Sequence, residues 1–236
     1  MVILAWLYLV HTKTAMAGMD MPGMVMLDLS NWGVATVLLL FVMWTVMMVA
    51  MMVPSAAPMI ITFLTVNQRR KLADRPFVPV AVFIFGYLAV WTAFSAIATV
   101  AEWGLHQAAM LSTTMTATNR ALNGGLLIAA GAFQWTPLKH TCLKGCRSPL
   151  SFLMSEWREG AFGAFVMGLR HGAYCAGCCW FLMALLFVAG VMNLLWVAIL
   201  ALFVLAEKIS PKGELLARVA GVGLVIAGTA LLAHLW

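Results

Sequence analysis

The residues best suited to chemistry lie in RHGAYCAGCCWFLMALLFV (170–188), where His171, Cys175, Cys178 and Cys179 fall at i, i+4, i+7 and i+8. On a helix this spacing sets all four on one stripe, and Met167 at i−4 extends it. That face offers an imidazole, three thiols and a thioether. Such donors suit Cu(I) best and Zn(II) next, whereas Mg(II) and Ca(II) want oxygens the stripe does not supply. A second reading is a packing seam, because cysteine behaves as a small hydrophobe and Gly172, Ala173, Ala176 and Gly177 would permit close helix contact. Arg170 and His171 favour metal or redox chemistry, since ionisable residues inside a membrane are expensive and usually functional. Cys175 and Cys178 also have the spacing of redox motifs, while a Cys178–Cys179 bridge would be strained. The sequence holds no second, outward-facing pair to relay electrons.

Other soft donors repeat at helical spacing. Met43, Met47 and Met51 fall at i, i+4 and i+8, with Met48 and Met52 in the adjacent row. Methionine is common apolar filler. The position of Met48, Met51 and Met52, however, matches the depth expected for His171 to Cys179 if the two segments pack antiparallel. Pro54 and Pro58 should bend or stop the chain there and leave backbone carbonyls available. Between residues 11 and 26, Met16, Met19, Met21, Met24 and Met26 accompany His11 and Asp20. They form either a tether or a sparse thioether array able to hold Cu(I) under oxidising conditions, where thiols would be lost. Cys142 and Cys146, with His140 nearby, could make a separate second site. Glu102 and His106, one turn apart, read as a solvated pair with some capacity to ligate, and Arg170 as an anchor to phosphate or a helix carbonyl.

Positioning these groups falls to helices in a bilayer. Of 236 residues, 64% are hydrophobic and 9% charged, and the mean hydropathy is +0.99, values foreign to a soluble domain. The expected fold is all-α: a polytopic transmembrane bundle of about six spans, with residues 1–31 forming an apolar stub and methionine-rich link and 32–236 the transmembrane domain. The spans are expected near 32–53, 78–101, 122–138, two between 160 and 206 broken near Met192 and Asn193, and one ending at Trp236. MVILAWLYLV is too short to cross, at about 15 Å, and one reading of it is the end of a truncated helix. A signal peptide is the other reading, from Ala15-Met16-Ala17, although no basic residue precedes the apolar run.

Eleven of the fourteen Lys and Arg (69, 70, 71, 75, 139, 144, 147, 158, 208, 212 and 218) fall in three alternate loops. This places those loops in the cytoplasm and the methionine-rich link outside. The +6 charge is thereby explained without nucleic acid as a partner. Trp32, Trp103, Trp157 and Trp236 sit near expected span ends, as an interfacial belt requires. None of the five cysteines lies on the oxidising side, so structural disulfides are not expected.

Three segments, MMVAMMVPSAAPM (47–59), LIAAGAFQWTPLKHTCLKGCRSPL (127–150) and GLRHGAYCAGCCWFLMALLFVAGVMNLLW (168–196), resemble the bacterial family of predicted metal-binding integral membrane proteins, which includes copper chaperones associated with polyphenol oxidases. The likeness runs from about residue 32 onward. It implies a multi-pass protein of the bacterial plasma membrane, without enzymatic activity, that delivers Cu(I) to an extracytoplasmic copper oxidase such as a tyrosinase-like enzyme. The residues expected to hold the metal are His171, Cys175, Cys178, Cys179, Met48, Met51 and Met52. A membrane thiol oxidoreductase working with quinone is the alternative.

Overall fold

The structure, a computed structural model, describes residues 1–17, 33–72, 77–108, 119–191 and 193–233, which are mostly helical. In chain order they are α1 (Val2–Ala17), α2 (Val34–Leu72), α3 (Val80–Gln107), α4 (Arg120–Phe133), α5 (Pro137–Arg147), α6 (Pro149–Glu156), α7 (Gly160–Ala184), α8 (Leu186–Ala189), α9 (Leu194–Ile209) and α10 (Gly213–Leu232). The all-α expectation holds. The methionine-rich link from Met19 to Met26 lies outside the described residues.

Local chemistry explains most boundaries. Asn119 caps α4 by accepting from Ala121 N and Leu122 N, Thr136 caps α5 through Lys139 N, and Asn193 caps α9 through Leu195 N, each satisfying an orphan amide of a first turn. Pro137 and Pro149 occupy first turns, where their missing N–H costs nothing. Gly190, at φ 89°, takes a left-handed conformation that ends α8 and reverses the chain into α9. The break expected near Met192 and Asn193 is therefore present.

Two expectations need correction. Helix α2 does not stop at Pro54 and Pro58 but runs through both for 39 residues. An interior proline costs about 3 kcal/mol, and burial of Met51, Met52, Ser55, Ala56, Met59 and Phe63 around the two prolines offsets that cost. The hydroxyls of Ser55 and Thr62 donate to the carbonyls of Met52 and Pro58, supplying partners along the interrupted ladder. Secondly, among the described residues four helices, fewer than the six spans expected, are by themselves long and apolar enough to cross a membrane: Val34–Leu72, Val80–Gln107, Gly160–Ala189 and Gly213–Leu232. Helices α4 and α9, with 14 and 16 residues, reach only about 21 and 24 Å against a hydrocarbon core of about 30 Å.

Two seams bring backbones together. In the α3–α7 seam a Cβ added at Gly168 would lie 2.1 Å from Phe83 O, and one at Gly86 2.2 Å from Phe165 O. In the α4–α10 seam a Cβ added at Gly131 would lie 2.7 Å from Gly221 O, and one at Gly124 3.1 Å from Gly228 O. Without a hydrophobic drive between helices in lipid, such close packing is a main source of association. Above these seams the larger core gathers the methionines of α2 with Tyr87, Trp91 and the cysteines of α5 and α7, plus Ala5 and Leu9 of α1. A smaller cluster holds Met59, Phe63, Phe83, Phe152 and Met167.

Gly168→Ala should push Cβ into backbone that cannot yield, at a cost of about 1–3 kcal/mol or more. Gly125→Ala, whose Cβ meets nothing within 4 Å, should be neutral or stabilising by up to about 1 kcal/mol. Thermal unfolding of both variants in detergent measures the contrast.

Candidate metal centre

The expected stripe on α7 is intact and fully inside: His171, Cys175, Cys178 and Cys179 are all buried, as are Met48, Met51 and Met52 on α2. Steps of four residues extend it in both directions through Met167 and Met183, both buried, so one column on α7 reads Met167, His171, Cys175, Cys179, Met183. Cys178 Sγ and Cys179 Sγ each donate to the Cys175 carbonyl at 3.0 Å.

Cys175 is the meeting point of the fold. Lys208 Nζ of α9 donates to its sulfur at 2.8 Å and to Ser55 Oγ of α2 at 2.9 Å. The Tyr87 hydroxyl of α3 lies 3.1 Å from the same sulfur and donates to the Met52 carbonyl at 3.0 Å. Cys146 of α5, buried in the same core cluster, adds a fourth thiol that interacts with Cys175 and Cys178; those contacts, and then burial, push its own thiol well above the usual range. Five helices thus supply groups to one centre. The expected separate site at Cys142 and Cys146 is not formed: Cys146 joins the main cluster, and Cys142 lies against Gly177 of α7, where an added Cβ would come within 2.7 Å of its sulfur.

His171 packs among Tyr87, Phe83 and Phe152, with ring centroids 5.7, 6.1 and 5.7 Å away. Its buried Nδ1 has no hydrogen-bond partner, which leaves a nitrogen lone pair or proton uncommitted beside the thiols. Among the described residues no three His, Cys, Asp or Glu side chains yet converge as a ligand set. The physical reason is visible: two thiols turn back to their own helix, and the third faces an ammonium. Rotation of these thiols is needed before they can share an ion.

Several functional groups were hidden in the sequence. Lys208 and Lys139 read as loop cations, yet both are buried. Lys139 Nζ bonds both carboxylate oxygens of Glu207, at 2.8 and 3.0 Å, and also Gln134 Oε1. The Glu207-Lys208 pair closing an apolar helix was the available signal, and the four-residue step from Cys179 was the signal for Met183. Glu102 is not a solvated surface group: it is 1% exposed and accepts from Trp44 Nε1 at 2.6 Å through Oε2, while Oε1 has no hydrogen-bond partner. Arg170 pairs with Glu156 of α6.

These features define an all-α protein, with four helices among the described residues long and apolar enough to cross a membrane, that buries a cluster of soft donors at a crossing of helices. The chain belongs to the PpoB2 copper chaperone family, whose model matches residues 41–231, in agreement with the resemblance carried by the three motifs. No curated protein and no solved structure matches it.

Glu207→Gln should leave Lys139 charged and unpaired in the core and destabilise the protein by about 3–5 kcal/mol, with much of the loss recovered in a Lys139→Met, Glu207→Leu double variant. Thermal melts of the three proteins in one detergent supply the comparison.

Proposed function

We propose that this protein is a membrane Cu(I) carrier that takes the ion on Cys175, Cys178 and Cys179, with His171, Met48, Met51 and Met52 completing the set, and passes it to an extracytoplasmic copper oxidase. The observation that carries the reading is the gathering of three further thiols around Cys175, fed by rows of buried methionine and backed by a tyrosine and an ammonium. Cu(I) favours two or three sulfur or nitrogen ligands and is displaced through shared-ligand intermediates, so a pocket with more donors than the ion needs suits transfer. Each thiol that takes the ion gives up its proton. Lys208 supplies positive charge against which a thiolate can persist in a low-dielectric interior. No bond in the cargo is made or broken other than those to its ligands, so the activity is carriage rather than catalysis.

The same reading gives the topology. Helices α4 and α9 complete six crossings as short spans sheltered by α10 and α2, against which they pack. The ends rich in Arg and Lys face the cytoplasm of a bacterial inner membrane, and the methionine-rich link faces outward, where it would exchange Cu(I) with a tyrosinase-like client. Zn(II) is the weaker fit, because it prefers a fixed tetrahedron and the thioether rows add little to one.

A thiol oxidoreductase using quinone is supported by the proximity of Cys146, Cys175 and Cys178. All five cysteines are free thiols, however, and none forms a second pair at the other end of the bundle.

Anaerobic titration of detergent-purified protein with Cu(I), against a colorimetric Cu(I) chelator, tests the reading. Wild type should retain copper, and the variant with Cys175, Cys178 and Cys179 changed to Ser should fall to background. Equal, negligible copper in both would sink it, and quinone turnover through a reversible Cys175–Cys178 disulfide would replace it with the oxidoreductase.

A further inference from the structure

Three cross-bridges fix the register of α2 against α7. Tyr87 links the Met52 carbonyl to Cys175, Lys208 links Ser55 to Cys175, and the Trp44 ring meets that of Phe187, on α8 just past the end of α7, at 5.4 Å. Between these ties the two helices run antiparallel, with Met47, Met48 and Met51 on α2 and Cys179 and Met183 on α7, all buried in one core cluster. On α2 the thioethers recur every turn, with Cβ atoms about 5–6 Å apart. From Met52 to Trp44 they climb about 12 Å.

At the far end of this file stands Glu102, joined to Trp44 by one oxygen and unsatisfied at the other. A buried carboxylate oxygen without a donor costs on the order of 1–3 kcal/mol, and more when charged, which packing alone does not explain. The intervening hydroxyls of α3, on Ser95 and Thr99, donate back to the carbonyls of Trp91 and Ser95, and their neutral hard oxygens suit Cu(I) less well than thioether sulfur does. Sulfur therefore dominates the route and a single carboxylate closes it.

Resting on the Cu(I) reading above, we infer that Glu102, with Met43 and Met47, forms a second cation station, through which Cu(I) exchanges with the cysteine centre along the α2–α7 methionine file. The carboxylate attracts a monovalent cation into an apolar interior, the thioethers hold it without thiol oxidation, and each move replaces one neutral sulfur ligand by the next. The ion keeps its charge and oxidation state throughout, so no electron donor or acceptor is required.

The experiment separates rate from equilibrium. Wild type, Glu102→Gln and Met47→Leu are purified in detergent, and Cu(I) loading is followed by stopped-flow absorbance of the copper–thiolate band, with equilibrium affinity measured against the same chelator. Both variants should load about tenfold more slowly with unchanged affinity and stoichiometry at the cysteine centre. Wild-type loading rates in both variants would overturn the inference, because the ion then takes another route. A parallel fall in affinity and rate would also overturn it, making Glu102 a prop for the centre rather than a station. Failure of wild type itself to take up Cu(I) would instead defeat the functional reading, and Met47→Leu keeps the test available if Glu102→Gln does not fold.

Discussion

A primary amine buried in a helical bundle must find acceptors or pull the fold apart. Stripping an ammonium of water costs several kcal/mol even after relaxation, and Lys208 recovers this from Ser55 and Cys175. Those partners sit on different helices, so satisfying one charge fixes three elements relative to one another, and Tyr87 ties in a fourth. Apolar side chains in lipid give little preference for one axial register over another. The polar junction supplies that preference, and it places the sulfur most exposed to the ammonium where the other thiols gather.

Around it two kinds of packing divide the work. The glycines at 86, 168 and 172 let α3 and α7 touch backbone to backbone, and the reciprocal contacts of Gly124 with Gly228 and Gly131 with Gly221 do the same for α4 and α10. The contacts of Gly86 and Gly168 are the stiffest, because a Cβ at either would meet backbone alone, whereas the side chains of Leu232, Val225 and Ile128 also line the α4–α10 seam. The centre itself is lined by methionine, whose three rotatable bonds and polarisable sulfur adapt to an irregular space. A rigid frame with a compliant lining suits a ligand set that must rearrange as cargo passes.

How much of this could be read from the chain follows from what periodicity reports. A repeat of four residues placed His171, Cys175 and Cys179 on one buried face, and the same repeat found the methionines of α2. Hydropathy located the break before Asn193. Neither reports what lies opposite. Lys208 resembled the other basic residues at its end of the chain because its partners are separated from it by 33 and 153 positions. Cys146 looked paired with its neighbour Cys142, though its hydrogen-bonding neighbours lie on α7. Pro54 and Pro58 read as a stop because the cost of proline is local while the burial that offsets it is tertiary. Glu102 looked solvated for the converse reason: a carboxylate near a helix end resembles a surface group until Trp44 arrives from elsewhere in the chain.

The reversal at Gly190 returns α9 alongside the bundle, but α9 rests chiefly on α2 and α10 and touches α7 only lightly. Its hold on α7 is largely one nitrogen against one sulfur. On the proposed reading, cargo and scaffold would compete for the same atom: an ion that claimed Cys175 would loosen the seat of α9, and a firmly seated α9 would resist the ion. Linkage of this sort is reciprocal by thermodynamic necessity, so occupancy would be felt mechanically at the far surface of the bundle, where α9 and α10 meet the surroundings.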